Sequence, residues 1–127
     1  HEMNLYPCAY SMTFNVVDGK LNAILNQRSQ DTLAANNWNV VQYSALMHML
    51  AQVSGLKVGE LVHVISDMHI YDRHIDMVKT MLDREPLPAP KVRLNPEVKN
   101  FYDFTVDDFI VEDYEYGKSM GRVPVAI

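Results

Sequence analysis

The segment Asn39–Ser54 places the strongest constraint on the fold, because it reads NVVQYSALMHMLAQVS without a glycine or proline. Apolar residues occupy most faces of the helix that this segment would form. Such a helix is stable when other elements cover it on nearly all sides. Asn39 is predicted as its N-cap residue, and Gly55 as the residue just beyond its C-terminal cap.

A β-hairpin is predicted over Tyr10–Ser29. The two segments YSMTFNVV and KLNAILNQ are rich in β-forming residues and roughly alternate, and Asp18-Gly19 between them is a strong signal for a two-residue turn. Both faces of the hairpin carry apolar side chains, since Leu21 and Ile24 point to opposite sides of one strand. One apolar face would therefore be costly to leave in water.

The rest of the chain predicts short elements joined by tight connectors. The expected elements are a turn at Lys57–Gly59, a strand at Glu60–Ile65, a helix at Asp72–Glu85, a strand at Val92–Leu94, a turn or short helix at Phe104–Phe109 and a last strand at Phe109–Tyr116. The fold class is therefore α+β, with a mainly antiparallel or mixed sheet packed against a long buried helix. These elements are few for covering that helix, so residues 1–127 are interpreted as the C-terminal part of a larger domain whose N-terminal part is absent.

Composition narrows the classes of function. A net charge of −5 disfavours a general nucleic-acid binder, which would need a basic face. A single cysteine cannot form an internal disulfide, which favours a reducing compartment such as the cytoplasm. The sequence has no apolar run of 18 residues, and His1–Tyr10 has no apolar core of a signal peptide, so neither a membrane span nor a leader is expected.

Cys8, in the stretch LYPCAYSM, is either a small buried hydrophobe or a nucleophile. A nucleophilic thiol needs a nearby cation or a helix N-terminus to favour the thiolate. The predicted hairpin would bring Arg28, at the end of its second strand, opposite the start of its first strand. That pairing would place a guanidinium close to Cys8.

Two further polar stretches are candidates for ligand binding. In QRSQD, Gln27–Asp31, the guanidinium of Arg28 and the hydroxyl of Ser29 suit a phosphate, although this motif alone favours a solvated strand end. In the stretch Asp67–His74, His69 and Tyr71 alternate, so their polar tips would share one side and could bind a sugar hydroxyl or lie at the edge of the core. The spacing of the two histidines in this stretch matches no standard zinc site.

Several motifs occur in an order that resembles the C-terminal half of the thymidylate synthase family. They are PC, QRSQD, WNVVQYSALMHMLAQVSG, SDMHIYDRH, REPLPAP and a final PVAI, and together they run through nearly the whole chain. The resemblance implies reductive methylation of deoxyuridylate (dUMP) to thymidylate (dTMP), with 5,10-methylenetetrahydrofolate as co-substrate and no metal. It also implies a homodimer that forms through the sheet, and no nucleic-acid or membrane partner.

The resemblance also implies roles for individual residues. Cys8 would be the nucleophile that attacks carbon 6 of dUMP. The residues implied to bind dUMP are Gln27, Arg28, Ser29, Gln30, Asp31, Asn39, His69, Ile70 and Tyr71. The residues implied to lie at the folate are Asp31, Ala126 and Ile127. The competing interpretation is a catalytically inactive folded fragment that binds nucleotide or self-associates without turnover.

Asn39 bears on the choice of base, because its amide offers one donor and one acceptor that match N3–H and O4 of uracil. Cytosine reverses the pattern at position 4, and hydroxymethylases acting on deoxycytidylate carry aspartate there. The chain departs from the family at Ala9, where histidine is frequent, and at Ala35, where a glycine lies beside the folate. The family's proton-relaying glutamate, folate-side tryptophan and phosphate-binding arginines from the partner all lie upstream and have no counterpart in this sequence.

Overall fold

The structure is a computed structural model that describes residues 6–125. Its strands are β1 (Ala9–Val17), β2 (Lys20–Gln27), β3 (Gln30–Asp31), β4 (Lys57–Ile65), β5 (Met68–His69), β6 (Lys91–Leu94) and β7 (Phe109–Glu112). Its α-helices are α1 (Asn36–Val53) and α2 (Ile75–Leu82), and short 3-10 helices occupy Asp72–His74, Phe101–Asp103 and Val106–Asp108. The predicted fold class, α+β with a mixed sheet against a long helix, is confirmed.

The predicted hairpin is confirmed. Strands β1 and β2 pair antiparallel, with Val17 opposite Lys20 at the turn and Ala9 opposite Gln27 at the open end. Asp18 and Gly19 both have positive φ, at 50° and 72°, which is the signature of the tight turn that matches the twist of a hairpin.

The central sheet has the order β1-β2-β4, and β4 runs parallel to β2. A parallel neighbour requires a crossover, which α1 supplies. The predicted turn at Lys57–Gly59 is wrong, because these residues form the start of β4. Gly59 is needed there for close approach, not for a turn, since a Cβ at this position would lie 2.8 Å from the carbonyl oxygen of Leu21.

The core lies between the sheet and one side of α1. Leu21 and Ala23 of β2 form a buried cluster with Met47 and Ala51 of α1. Met12, Leu50, Leu56 and Leu61 pack against this cluster. The opposite side of the helix is more open, and Val41 is 67% exposed. Within the described chain, α1 is therefore covered by the sheet on one side but not on nearly all sides.

The ends of α1 differ from each other in how well the sequence predicts them. The helix begins three residues before Asn39, with Ala35 at the N-cap, and the amide of Asn39 donates a helical hydrogen bond to the carbonyl of Ala35 (3.0 Å). The predicted N-cap is therefore wrong. Gly55, with φ of 66°, is confirmed beyond the C-cap, where its amide donates to Gln52 and the amide of Leu56 donates to Ala51. This pair of bonds is a Schellman motif.

Two elements of the C-terminal part are shorter than predicted, whereas the strand predicted at Val92–Leu94 and the short helix predicted within Phe104–Phe109 are confirmed. The helix expected over Asp72–Glu85 is a 3-10 turn followed by α2, which ends at Leu82. Strands β6 and β7 form a separate antiparallel pair, and β7 ends at Glu112 rather than at Tyr116. Among residues 6–125, no helix combines the length and apolar character needed to cross a bilayer.

Candidate active site

A cavity of about 630 Å³ opens where β1, β2 and the N-terminal part of α1 meet the β5 segment. Its lining includes most of the polar residues that the sequence singles out. They are Cys8, Gln27, Arg28, Ser29, Asp31, Asn39, His69 and Tyr71. The fold thus brings residues from distant parts of the chain, from Cys8 to Tyr71, into one cavity.

The open end of the hairpin joins Cys8 to Arg28. The amide of Arg28 donates to the carbonyl of Cys8 (2.9 Å), and its guanidinium Nη2 donates to the carbonyl of Tyr6 (2.8 Å). Cys8 is half-buried and both side chains line the cavity. A guanidinium carries five N–H donors, so the contact with Tyr6 leaves donors for an anionic ligand.

Gln27 is held by a network behind the cavity. Its Nε2 donates to the carbonyl of Ser29 (2.8 Å) and to Oε1 of Gln30. Its Oε1 therefore accepts from Nε2 of His63 (2.9 Å). Burial lowers the pKa of His63 and so favours the neutral ring, and the bond to Gln27 places the proton of that ring on Nε2. The network fixes the orientation of the Gln27 side-chain amide, with Oε1 toward His63 and Nε2 toward Ser29 and Gln30.

Asp31 shapes the connection from the sheet to α1. Its Oδ1 accepts from the amides of Leu33 (3.0 Å) and Ala34 (3.1 Å), as in an Asx turn. The parallel pair β3–β5 sets Asp31 beside His69, and the hydroxyl of Thr32 donates to the carbonyl of His69 (2.8 Å). The short pairing, which the sequence did not predict, joins the two sides of the cavity.

His69 and Tyr71 lie together as the alternation predicts. Their rings meet edge to face with centroids 5.0 Å apart, and both line the cavity. Nδ1 of His69 lies 3.3 Å from Oδ2 of Asp67, an ion-pair distance, but the two atoms form no hydrogen bond. The two polar tips are thus available on one wall, as binding of a sugar hydroxyl would require.

Asn39 lines the cavity from the first turns of α1, together with Gln42 and Tyr43. Gln42 and Tyr43 were not among the predicted site residues. Their spacing of three and four residues from Asn39 carried the signal, because residues at this spacing share one face of a helix.

The remaining predicted residues lie elsewhere. Gln30 is 1% exposed and supports Gln27 from behind, whereas Ile70 is 43% exposed and neither residue lines the cavity. Ala126 and Ile127 fall outside the described residues. Ala9 and Ala35, the two departures from the family pattern, both line the cavity. Within residues 6–125 no group of three or more acidic, histidine or cysteine side chains is arranged to hold a metal ion.

Comparison with known proteins gives a consistent result. The family model described as thymidylate synthase matches residues 1–127. Thymidylate synthase 1 of Bacillus amyloliquefaciens is 46% identical over 97% of this chain and 54% of its own length. Thymidylate synthase of Bacillus mojavensis is 47% identical over 91% of this chain and 41% of its own length.

A solved structure agrees with these sequence relatives. Thermostable thymidylate synthase A from Bacillus subtilis superposes with a TM-score of 0.91 at 44% identity, covering 94% of this chain and 43% of that one. The chain spans about half the length of the curated relatives that it matches. A match over every residue, together with the shared fold, establishes that this chain belongs to the thymidylate synthase family.

Proposed function

We propose that this chain supplies the nucleophile and most of the nucleotide-binding wall of an enzyme that methylates dUMP to dTMP. One observation carries the proposal: a single cavity collects Cys8, Arg28, Asn39 and the pair His69 and Tyr71. These groups match the parts of a deoxyribonucleotide that a methylating enzyme must hold. The chain is proposed to be the C-terminal half of the catalytic domain.

Different residues of the cavity wall suit the phosphate, the base and the sugar of dUMP. Arg28 and Ser29 suit the phosphate, since a planar cation and a hydroxyl both donate to its oxygens. The Asn39 amide suits the uracil edge, and His69 with Tyr71 suits the 3′-hydroxyl of the deoxyribose. Gln27, Gln30 and Ile70 are proposed to contribute at the nucleotide, with Gln27 fixed by its bonds to the Ser29 carbonyl and His63.

Cys8 is proposed to add to carbon 6 of dUMP as the thiolate, and Arg28 in the same cavity wall is proposed as the cation beside it. Addition places electron density on carbon 5 of the pyrimidine, and the same thiolate leaves when the methylated product is released. Carbon 5 is proposed to bond to the methylene carbon of methylenetetrahydrofolate and to lose its proton, and hydride transfer from the folate then completes the methyl group and leaves dihydrofolate. Asp31, Ala126 and Ile127 are proposed at the folate, and Ala35 lines the same cavity as Asp31.

The second proposal for the whole protein is a homodimer formed through the sheet. Ile24 and Val62 lie side by side on the face of the sheet opposite α1 and are 44% and 49% exposed, and Val64 beside them is 46% exposed. A continuous apolar surface of this kind is typical of an interface. The proposed location is the cytoplasm, which suits a free cysteine nucleophile.

Covalent trapping with 5-fluorodeoxyuridylate and methylenetetrahydrofolate tests the reaction. Fluorine cannot leave carbon 5 as a proton does, so the complete protein should retain a covalent adduct on Cys8 in denaturing mass spectrometry. Cys8→Ser should form no adduct and show no turnover, yet bind dUMP with a dissociation constant within about threefold of wild type, because a thiol-to-hydroxyl change removes little binding area.

Two results would count against this function. An adduct that persists in the Cys8→Ser variant would assign the nucleophile to another residue. A complete protein that binds dUMP without any adduct would instead support the alternative of a nucleotide-binding chain without turnover.

A further inference from the structure

His74 is a buried polar residue that has no role in the proposed reaction. It is 1% exposed, in the 3-10 turn Asp72–His74 that precedes α2. Its Nε2 lies 2.8 Å from the carbonyl oxygen of Pro124, near the C-terminal end of the chain. A carbonyl only accepts hydrogen bonds, so Nε2 carries the proton and donates. A histidine buried in this way loses hydration that the bond to Pro124 replaces.

Arg73 holds the same tail from outside. Its Nη1 donates to the carbonyl of Val125 (2.6 Å), and the arginine itself is exposed. Two consecutive side chains thus bind two consecutive carbonyls, about fifty residues further along the chain. Adjacent bonds of this kind fix both the position and the direction of an extended segment, which one bond alone would not do.

The other side of His74 faces the cavity wall. Its Nδ1 lies 3.7 Å from Oδ1 of Asp31, which is an ion-pair distance but too long for a hydrogen bond. Its ring also meets the ring of Tyr71 edge to face, with centroids 5.6 Å apart. Asp31 and Tyr71 both line the cavity. His74 therefore contacts two residues of the proposed site while it binds the tail.

We propose that Arg73 and His74 are positioning residues that clamp the tail at Pro124–Val125 against the site and so set the affinity for the folate. The part about folate rests on the proposed function, in which the two residues that follow the clamp lie at that co-substrate. The clamp itself rests on the two bonds to the tail and not on any reaction. Its contacts with the proposed nucleotide wall are those with Asp31 and Tyr71, and a substitution that keeps the ring beside Tyr71 should therefore change folate binding more than dUMP binding.

Two substitutions of His74 separate the hydrogen bond from the packing of the ring. His74→Phe keeps the edge-to-face contact with Tyr71 but has no donor for Pro124. His74→Gln loses the ring but keeps an N–H donor at similar reach. Selective ¹⁵N-valine labelling of the complete protein then reports the backbone order of Val123 and Val125, with S² near 0.85 for a rigid amide and below about 0.6 for a flexible one.

If the clamp holds the tail, the order parameters of Val123 and Val125 should fall in His74→Phe and remain at the wild-type values in His74→Gln. It also predicts that His74→Phe raises the KM for methylenetetrahydrofolate about fivefold, as expected for one lost hydrogen bond, and changes the dissociation constant of dUMP by less than about twofold. The opposite pattern, with order lost in Gln and kept in Phe, would show that ring packing holds the tail and would overturn the clamp. Unchanged order in both variants would overturn it as well.

A second pair of substitutions, at Arg73, does not disturb the core, because the side chain of Arg73 is exposed. Arg73→Met should loosen Val125, whereas Arg73→Lys should retain most of its order. A loosened tail with an unchanged folate KM would refute the link to the co-substrate. If wild type forms no trapped adduct while the valine amides still respond as expected, the proposed function fails and the clamp stands.

Discussion

At the scale of single residues, Asn39 is the group that the proposed specificity depends on most. It lies in the cavity on α1, one turn before Gln42, and its amide can present an acceptor and a donor to a pyrimidine edge. A polar group that meets the wrong partner in a buried site is left unpaired, and such a mismatch discriminates between substrates by about 10⁴-fold or more.

Asn39→Asp should therefore shift the preference toward deoxycytidylate. The ratio of kcat/KM for deoxycytidylate to that for dUMP should rise by roughly 10²-fold or more, which is part of the discrimination that buried polar groups achieve. Gln42→Glu is the matched control, because it makes the same amide-to-acid change on the same face of α1. An unchanged ratio in Asn39→Asp, or an equal shift in Gln42→Glu, would mean that Asn39 does not select the base.

The sequence predicts the parts of this site that are set by local secondary structure. Arg28 near Cys8 follows from a hairpin whose turn is written in two residues. Gln42 and Tyr43 were not predicted, although their spacing from Asn39 places all three on one face of the helix, because the sequence does not show that this face lines a cavity. His63 was missed for a different reason: it acts through Gln27 on a neighbouring strand, and no local pattern shows that contact.

At the scale of elements, the C-terminal end of α1 depends on Gly55. Its φ of 66° lies in the left-handed region, and open space surrounds the position of a Cβ. Gly55→Ala should lower the free energy of unfolding by about 1–2 kcal/mol through backbone strain alone. Urea denaturation followed by circular dichroism measures this change.

Gly117→Ala is the control for that experiment. Gly117 does not have a positive φ, and an added Cβ would meet only the guanidinium of Arg84 at an ordinary 3.7 Å. Its free energy of unfolding should change by less than about 0.5 kcal/mol. Equal losses in the two variants would show that the strain at Gly55 is not the cause.

Local chemistry also explains which elements the sequence predicts well. The turn at Asp18-Gly19 and the glycine after α1 are set by backbone conformation, so their residues alone indicate them. The start of α1 was predicted three residues late, because the Asx turn of Asp31 leads the chain into the helix and no side chain caps it. Strands β3 and β5 are two residues each and exist only as partners, so neither is visible in its own segment.

At the scale of the whole molecule, the face of the sheet opposite α1 should form the dimer interface. Val62→Asp would place a charge among Ile24 and Val64 on that face, where burial without a partner is costly. Sedimentation velocity should show a shift from dimer to monomer in the complete protein. Val106→Asp is the control, because Val106 is 83% exposed and lies outside the central sheet. A Val62→Asp protein that remains dimeric would place the interface elsewhere.

The parallel pairing of β3 with β5 also bears on the order in which a new chain assembles its site. Thr32 meets His69 across 37 residues, whereas Arg28 meets Tyr6 across 22, and each doubling of loop length costs only about 0.6 kcal/mol in entropy. The two contacts therefore differ more in their rate of formation than in their entropic cost, because hairpins form within about 1–10 μs and longer-range pairing is slower. By this reasoning, Cys8 and Arg28 come together before His69 and Tyr71 complete the wall proposed for the sugar.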